Sequence, residues 1–176
     1  MRWRPFTLDP TLPPGSGMNK RELYERKFGA RAPAIVEAMT ATFAEMGETY
    51  SIGGNVGDTF DSHRLLAYAE SLDDDYATQN ALVEELFKDY FTREKCVSDR
   101  DVLLAAAQAV GLQDAAKVLD DPTAFADTVE DQKRAFAGRH QIRGVPYFII
   151  DGKYHLSGAQ PPDILAEAIE EAIGVA

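Results

Sequence analysis

The C-terminal part of the sequence limits the possible folds most strongly. Residues 145–150, Val-Pro-Tyr-Phe-Ile-Ile, form a β-branched and aromatic run that predicts a strand. Asp151-Gly152 predicts a two-residue hairpin turn, and residues 154–157 return as a second strand. Pro161-Pro162 then opens a helix that reaches Ile173. One face of this helix is apolar and must pack on the sheet, through Leu165, Ala168, Ile169, Ala172 and Ile173.

The preceding part of the chain has the periodicity of helices. We predict a short strand at Trp3 to Leu8 and then a loop rich in proline and glycine. Asn19 is the expected N-cap of the first helix, and Ser98 is the expected N-cap of a later one. The predicted helices are 19–29, 33–46, 61–72, 76–91, 99–110, 114–119 and 123–140.

These elements predict an α/β fold in three segments. Residues 1–18 and 141–176 both contribute strands and would share one base, whereas residues 19–140 form an inserted all-helical lobe. The length suits one substantial core.

Charge narrows the range of partners. The chain has 29 acidic and 18 basic residues, and the formal charge of −11 repels nucleic acids and anionic membrane surfaces. No run of about 18 apolar residues and no signal-peptide pattern occur. We therefore expect a soluble cytoplasmic protein that binds neither nucleic acid nor membrane.

Cysteine and histidine are scarce. Cys96 is the only cysteine, which excludes an internal disulfide and a zinc site built on several thiolates. We expect an ordinary buried thiol, with a regulatory thiol as the alternative. His63, His140 and His155 lie far apart in sequence, so no metal site is expected unless the fold gathers them.

Gly144-Val145-Pro146, directly before the predicted strand, hairpin and helix, resembles the second half of a thioredoxin fold. The resemblance implies a cis proline that turns the Val145 main chain outward, where its N–H and C=O pair with an extended substrate. Gly144, Val145 and Pro146 are thus candidate substrate-binding residues. The plainer alternative is that Val-Pro only begins a buried strand.

Further motifs in the same order make the resemblance more specific. Residues 3–6 (Trp-Arg-Pro-Phe), 8–10 (Leu-Asp-Pro) with a Pro-Pro-Gly loop, 59–65 and 157–161 are similar to the FrnE-type branch of the DsbA-like thioredoxin-fold family. This resemblance implies thiol–disulfide exchange on a protein or small-molecule thiol or disulfide, with no cofactor unless glutathione is used. It also implies an inserted helical lobe.

One difference from this family branch concerns the cysteines that perform the exchange reaction. In this branch a strand and a helix with Cys-x-x-Cys precede the strand that corresponds to residues 3–8, but here Met1 stands immediately before it. We therefore expect an N-terminally incomplete fold with no catalytic residue of its own. The resulting gap in the sheet favours a homo-oligomer, since two chains could cover each other's edges.

His63 and Arg64 are further candidate substrate-binding residues, because the first turn of a helix could direct them into a cleft. Alternatively, His63 packs at the start of the helix and Arg64 pairs with a carboxylate. Two other functions remain open: a non-catalytic module that binds peptide or glutathione, and a relative of the glutathione-dependent isomerases or transferases.

Overall fold

The computed structural model describes residues 1–174. The chain divides into two compact units, residues 1–130 and residues 131–176, and each unit is described by itself. The predicted domain boundary, between residues 140 and 141, lies further along the chain than the observed one, between residues 130 and 131. Residues 1–18 belong to the same unit as the helices that follow them.

The first unit is mainly helical. Its elements are α1 (Lys20–Phe28), α2 (Ala32–Glu45), α3 (Phe60–Glu70), α4 (Ala77–Phe91), α5 (Arg100–Ala109), α6 (Ala115–Asp120) and α7 (Ala126–Lys133), the last of which continues into the second unit. A two-residue antiparallel ladder joins β1 (Met18–Asn19) to β2 (Asn55–Val56). These bounds confirm the predicted helices within a few residues. The predicted helix 123–140 is instead α7 followed by a π-helical turn at Arg134–Gly138.

The core of the first unit lies where α3, α4, α5 and α6 meet. Leu65, Leu82 and Leu103 are fully buried there, one from each of the first three helices. Val129 of α7 is also fully buried. Burial of such side chains stabilises the fold by about 1.5–3 kcal/mol each.

Two predictions for the first unit are wrong. Residues 3–8 form no strand, because the main chain of Trp3 is bonded by a side chain: Trp3 N donates to Gln79 Oε1 at 2.9 Å, and Gln79 Nε2 donates to Trp3 O at 3.3 Å. The N-cap of α5 is Asp99, whose carboxylate accepts from the N–H groups of Asp101 and Val102. Ser98 is not the cap because its hydroxyl donates to Gly15 O.

The second unit contains a hairpin and a helix. Strand β3 (Tyr147–Ile150) pairs with β4 (Tyr154–Ser157), and α8 (Pro162–Ile173) follows. The loop has three residues, not the two predicted, because Ile150 pairs with Tyr154 and Lys153 is left over. Asp151 and Gly152 both have positive φ, of 51° and 67°, as the predicted turn type requires.

The apolar face of α8 is only partly covered. Leu165, Ala168 and Ala172 are half-buried, whereas Ile164, Ile169 and Ile173 are 38%, 48% and 67% exposed. Helix α8 contacts β3, so the predicted packing on the hairpin involves one side of the face. Among residues 1–174, no helix is both long enough and apolar enough to cross a membrane.

Candidate functional site

The free edge of β3 is the strongest candidate site in the second unit. Gly158 N donates to Pro146 O at 2.9 Å, which makes residues 146 and 158 a hydrogen-bonded pair. Hydrogen-bonded and non-bonded pairs alternate along an antiparallel ladder. The register pairs Phe148 with Leu156 and Ile150 with Tyr154, so these pairs share the bonding pattern of Pro146.

The intervening residues of β3 therefore direct their main-chain groups away from β4. Tyr147 and Ile149 lie opposite Ser157 and His155 in non-hydrogen-bonded pairs, so their N–H and C=O groups point outward from the free edge of β3. Val145 continues this series. In the described part of the chain, β3 has no strand neighbour except β4. Tyr147 and Ile149 were not predicted as site residues, although the two-residue period of the strand could have indicated them.

The predicted residues 144–146 lie at the beginning of this edge. The Val145–Pro146 peptide bond is cis, as the resemblance implies. Val145 is 50% exposed, Pro146 is exposed and Gly144 is half-buried. No hydrogen bond to the main chain of Val145 is found among residues 1–174. We define the β3 edge as the outward main-chain groups of Val145, Tyr147 and Ile149.

His63 and Arg64 lie in the first unit, on the first turns of α3. The His63 ring is half-buried, and its Nε2 lies 3.3 Å from Thr59 Oγ1, within its own helix start. The side chain thus has a local partner in the turn that begins α3.

Arg64 is held by hydrogen bonds within the first unit. It is 2% exposed, and its Nε donates to Ala124 O at 2.8 Å while its Nη1 contacts Asp61 at 2.7 Å. Its Nη2 donates to the main-chain oxygens of Val118 and Asp121, at the C-terminal end of α6. Carbonyl groups at a helix end lack intrahelical partners. Arg64 supplies those donors and stabilises the chain between α6 and α7.

Cys96 is buried, with 7% of its surface exposed. Its Sγ lies 3.1 Å from Ser98 Oγ, and the Ser98 hydroxyl donates to Gly15 O at 2.6 Å. Since the single hydroxyl hydrogen of Ser98 is directed to Gly15 O, the acceptors near the Cys96 S–H are Ser98 Oγ at 3.1 Å and Gly15 O at 3.9 Å. Disulfide exchange requires an accessible thiolate, and this thiol is neither accessible nor paired with a second cysteine.

Lys20 is an internal charge that the sequence pattern did not reveal. It is 1% exposed, its Nζ donates to Tyr90 O at 2.7 Å, and the ammonium lies 3.8 Å from the centre of the Tyr90 ring. Burial lowers the pKa of Lys20 to about 8, against the opposing effects of Cys96 and Glu94. The same burial raises the pKa of the Tyr90 hydroxyl.

Comparison with known proteins agrees with this architecture. The chain is similar to a probable DsbA oxidoreductase from Streptomyces coelicolor, with 30% sequence identity and a TM-score of 0.82; the similarity covers 98% of this chain and 75% of that one. A search of curated proteins found no match. The sequence model of the DSBA-like thioredoxin domain matches residues 1–170. The chain therefore belongs to the DSBA-like thioredoxin domain family and has its thioredoxin-like α/β fold with a helical lobe.

Proposed function

We propose that this protein acts in thiol–disulfide exchange and that the β3 edge binds the extended segment of the substrate. The observation that carries the proposal is the outward main chain of Val145, Tyr147 and Ile149 in a chain of this family. The neighbour's description as a probable DsbA oxidoreductase supports the same class of chemistry.

The edge suits an extended peptide because strand addition uses main-chain hydrogen bonds and is tolerant of sequence. A peptide antiparallel or parallel to β3 would meet donors and acceptors from alternate residues along its length. The exposed Val145 side chain supplies an apolar contact at the beginning of the edge. These features predict binding to unfolded or flexible segments.

The sulfur chemistry itself requires two reactive thiols. One thiolate attacks a substrate disulfide and expels the other substrate sulfur as a thiolate; a second thiolate then attacks the mixed disulfide and releases the reduced substrate. Two electrons pass to the substrate and the attacking pair becomes a disulfide. Cys96 is single and buried, so residues 1–176 supply the binding edge without a reactive pair.

A second candidate function is a peptide-binding module that performs no exchange. The burial of Cys96 and its hydrogen bond to Ser98 favour this candidate, because the thiol has no access to a substrate. Both candidates use the same edge, and they differ only in whether exchange follows binding.

Peptide binding tests the edge directly. Val145→Pro removes one N–H donor from the β3 edge, and Ser157→Pro removes one from the opposite edge of β4, so the second variant is a matched control. Loss of one hydrogen bond corresponds to about 1 kcal/mol, or about fivefold in affinity. We expect this loss for an unfolded, carboxymethylated polypeptide in Val145→Pro alone, measured by isothermal titration calorimetry.

Catalysis separates the two candidates. The native protein isolated from its own cells should accelerate the reduction of insulin by dithiothreitol if exchange is its function. Binding without acceleration would support the module instead. The absence of both binding and acceleration, or equal loss of binding in Val145→Pro and Ser157→Pro, contradicts a role for the β3 edge.

Further proposals concern the family branch, the location, the substrate and the oligomeric state. We propose the FrnE-type branch, a cytoplasmic location and a thiol or disulfide substrate, protein or small molecule. Glutathione fits as a small thiol substrate. Pairing of two chains through β3 edges would produce a homo-oligomer, which sedimentation analysis would detect as a species of twice the chain mass.

A further inference from the structure

Two of the three histidines, distant in sequence, come together in the second unit. The ring centres of His140 and His155 are 5.0 Å apart, and the ring planes are inclined at 42°. His155 stands on β4, opposite Ile149, and His140 follows the π-helical turn. His140 is half-buried and His155 is exposed. The pair is therefore accessible to a solute, and the proposed function does not use it.

The separation suits two ligands of one ion. Imidazole nitrogens coordinate Zn²⁺ at about 2.0–2.1 Å, and two rings at a tetrahedral angle on one ion then have centres about 5 Å apart. The observed 5.0 Å therefore matches the bidentate arrangement.

A tyrosine supports one of the two rings. The Tyr147 hydroxyl lies 3.2 Å from His155 Nδ1, and Tyr147 and His155 are diagonal neighbours on one face of the hairpin. A metal-binding histidine usually donates its other ring N–H to a hydrogen-bond acceptor, which selects the tautomer and orients the ring. When His155 Nδ1–H donates to Tyr147 Oη, the lone pair of Nε2 is left for an ion.

We propose that His140 and His155 bind one divalent transition-metal ion of the kind that imidazole prefers, namely Zn²⁺, Cu²⁺ or Ni²⁺. Tyr147 is a positioning residue that orients His155. Among the described residues, no group of three or more His, Cys, Asp or Glu side chains could hold a metal. The protein therefore supplies two ligands, and water or a small-molecule ligand completes the coordination. Such a site leaves open positions for an exchangeable ligand.

Ni²⁺ is the probe for the test, because it favours imidazole and the single thiol is buried. Titration calorimetry of the full chain with NiCl₂ should show one site, weakened at least tenfold in His140→Ala and in His155→Ala. The third histidine provides the matched control: His63→Ala should bind as the wild type does. Tyr147→Phe, which keeps the ring but removes the hydroxyl, should weaken binding severalfold.

Ring resonances provide a second measurement that does not depend on the variants' stability. In histidine-selective NMR spectra of the wild type, Ni²⁺ should broaden the signals of His140 and His155 before that of His63. Absence of binding up to about 1 mM NiCl₂ overturns the proposal. It is also overturned if His63→Ala abolishes the site, if His140→Ala and His155→Ala leave the affinity unchanged, or if the His63 signal broadens first.

Discussion

Replacing Lys20 with methionine tests how strongly a buried ammonium group destabilises the helical unit. Lys20 is 1% exposed in α1, and its Nζ has Tyr90 O as its hydrogen-bond acceptor. Burial is the principal cause of its lowered pKa, since water no longer solvates the charged form. Methionine is similar in length and shape, cannot be charged and does not donate a hydrogen bond.

The magnitude follows from the pKa. A fall from 10.5 to about 8 corresponds to about 3 kcal/mol, at 1.36 kcal/mol per unit. Below pH 8 both the folded and unfolded chains hold the proton, so the penalty is fully present. Between pH 8 and 10.5 the unfolded chain binds more protons than the folded chain, and the free energy of unfolding therefore rises with pH.

Lys20→Met removes the penalty and loses one hydrogen bond, worth about 1 kcal/mol. We expect the variant to be about 2 kcal/mol more stable than the parent at pH 7 and about equally stable at pH 10. Urea unfolding followed by far-ultraviolet circular dichroism measures both values. A Cys96→Ala background in every protein removes the thiol, which lies near Lys20, from the comparison.

Lys27→Met is the matched control, because Lys27 is an exposed residue of the same helix. Its effect on the free energy of unfolding should be small and equal at the two pH values. The reasoning is refuted if the difference between Lys20→Met and its parent stays constant from pH 7 to pH 10, or if the parent loses stability relative to the variant over that interval.

Four further substitutions, one of them a control, test local structure by urea unfolding. Gly54→Ala should lower the free energy of unfolding by about 3 kcal/mol or more, because φ is +77° and a Cβ would lie 2.0 Å from Glu94 O. Its control is Gly15→Ala, where φ is +68° but the surrounding space is open, and this variant should lose only about 1–2 kcal/mol. Equal losses in the two variants would contradict the steric argument. Asp99→Ala should cost about 1 kcal/mol through loss of the α5 cap, and an unchanged midpoint would mean that the cap contributes nothing. Arg64→Met should cost about 3 kcal/mol or more because it leaves main-chain oxygens without their donors, and wild-type stability would show that solvent replaces these donors.

The sequence predicted those elements whose stability is mostly local. The helical periods, the Asn19 cap of α1 and the Asp151-Gly152 turn depend on neighbouring residues, and the structure confirms them. The third loop residue, Lys153, was not predicted, because two-residue and three-residue hairpin loops use the same turn-forming residues.

Features that depend on distant partners were not predictable in this way. Residues 3–8 have strand-forming composition, but a strand requires a partner, and the Gln79 side chain takes that place. Lys20 occupies a polar position of α1 in sequence, and only the approach of α4 encloses it. The meeting of His140 and His155 likewise requires the hairpin register, which no spacing rule supplies.

The unpaired edge of β3 is also a site at which copies of the chain could aggregate by strand pairing. Residues 147–150, Tyr-Phe-Ile-Ile, combine high β propensity with no charge, which is the composition of cross-β segments. Pro146 cannot donate to a growing ladder, and Asp151 introduces a charge at the other end. These flanking residues limit any such stacking to four residues, which would leave the same strand available for the proposed peptide binding.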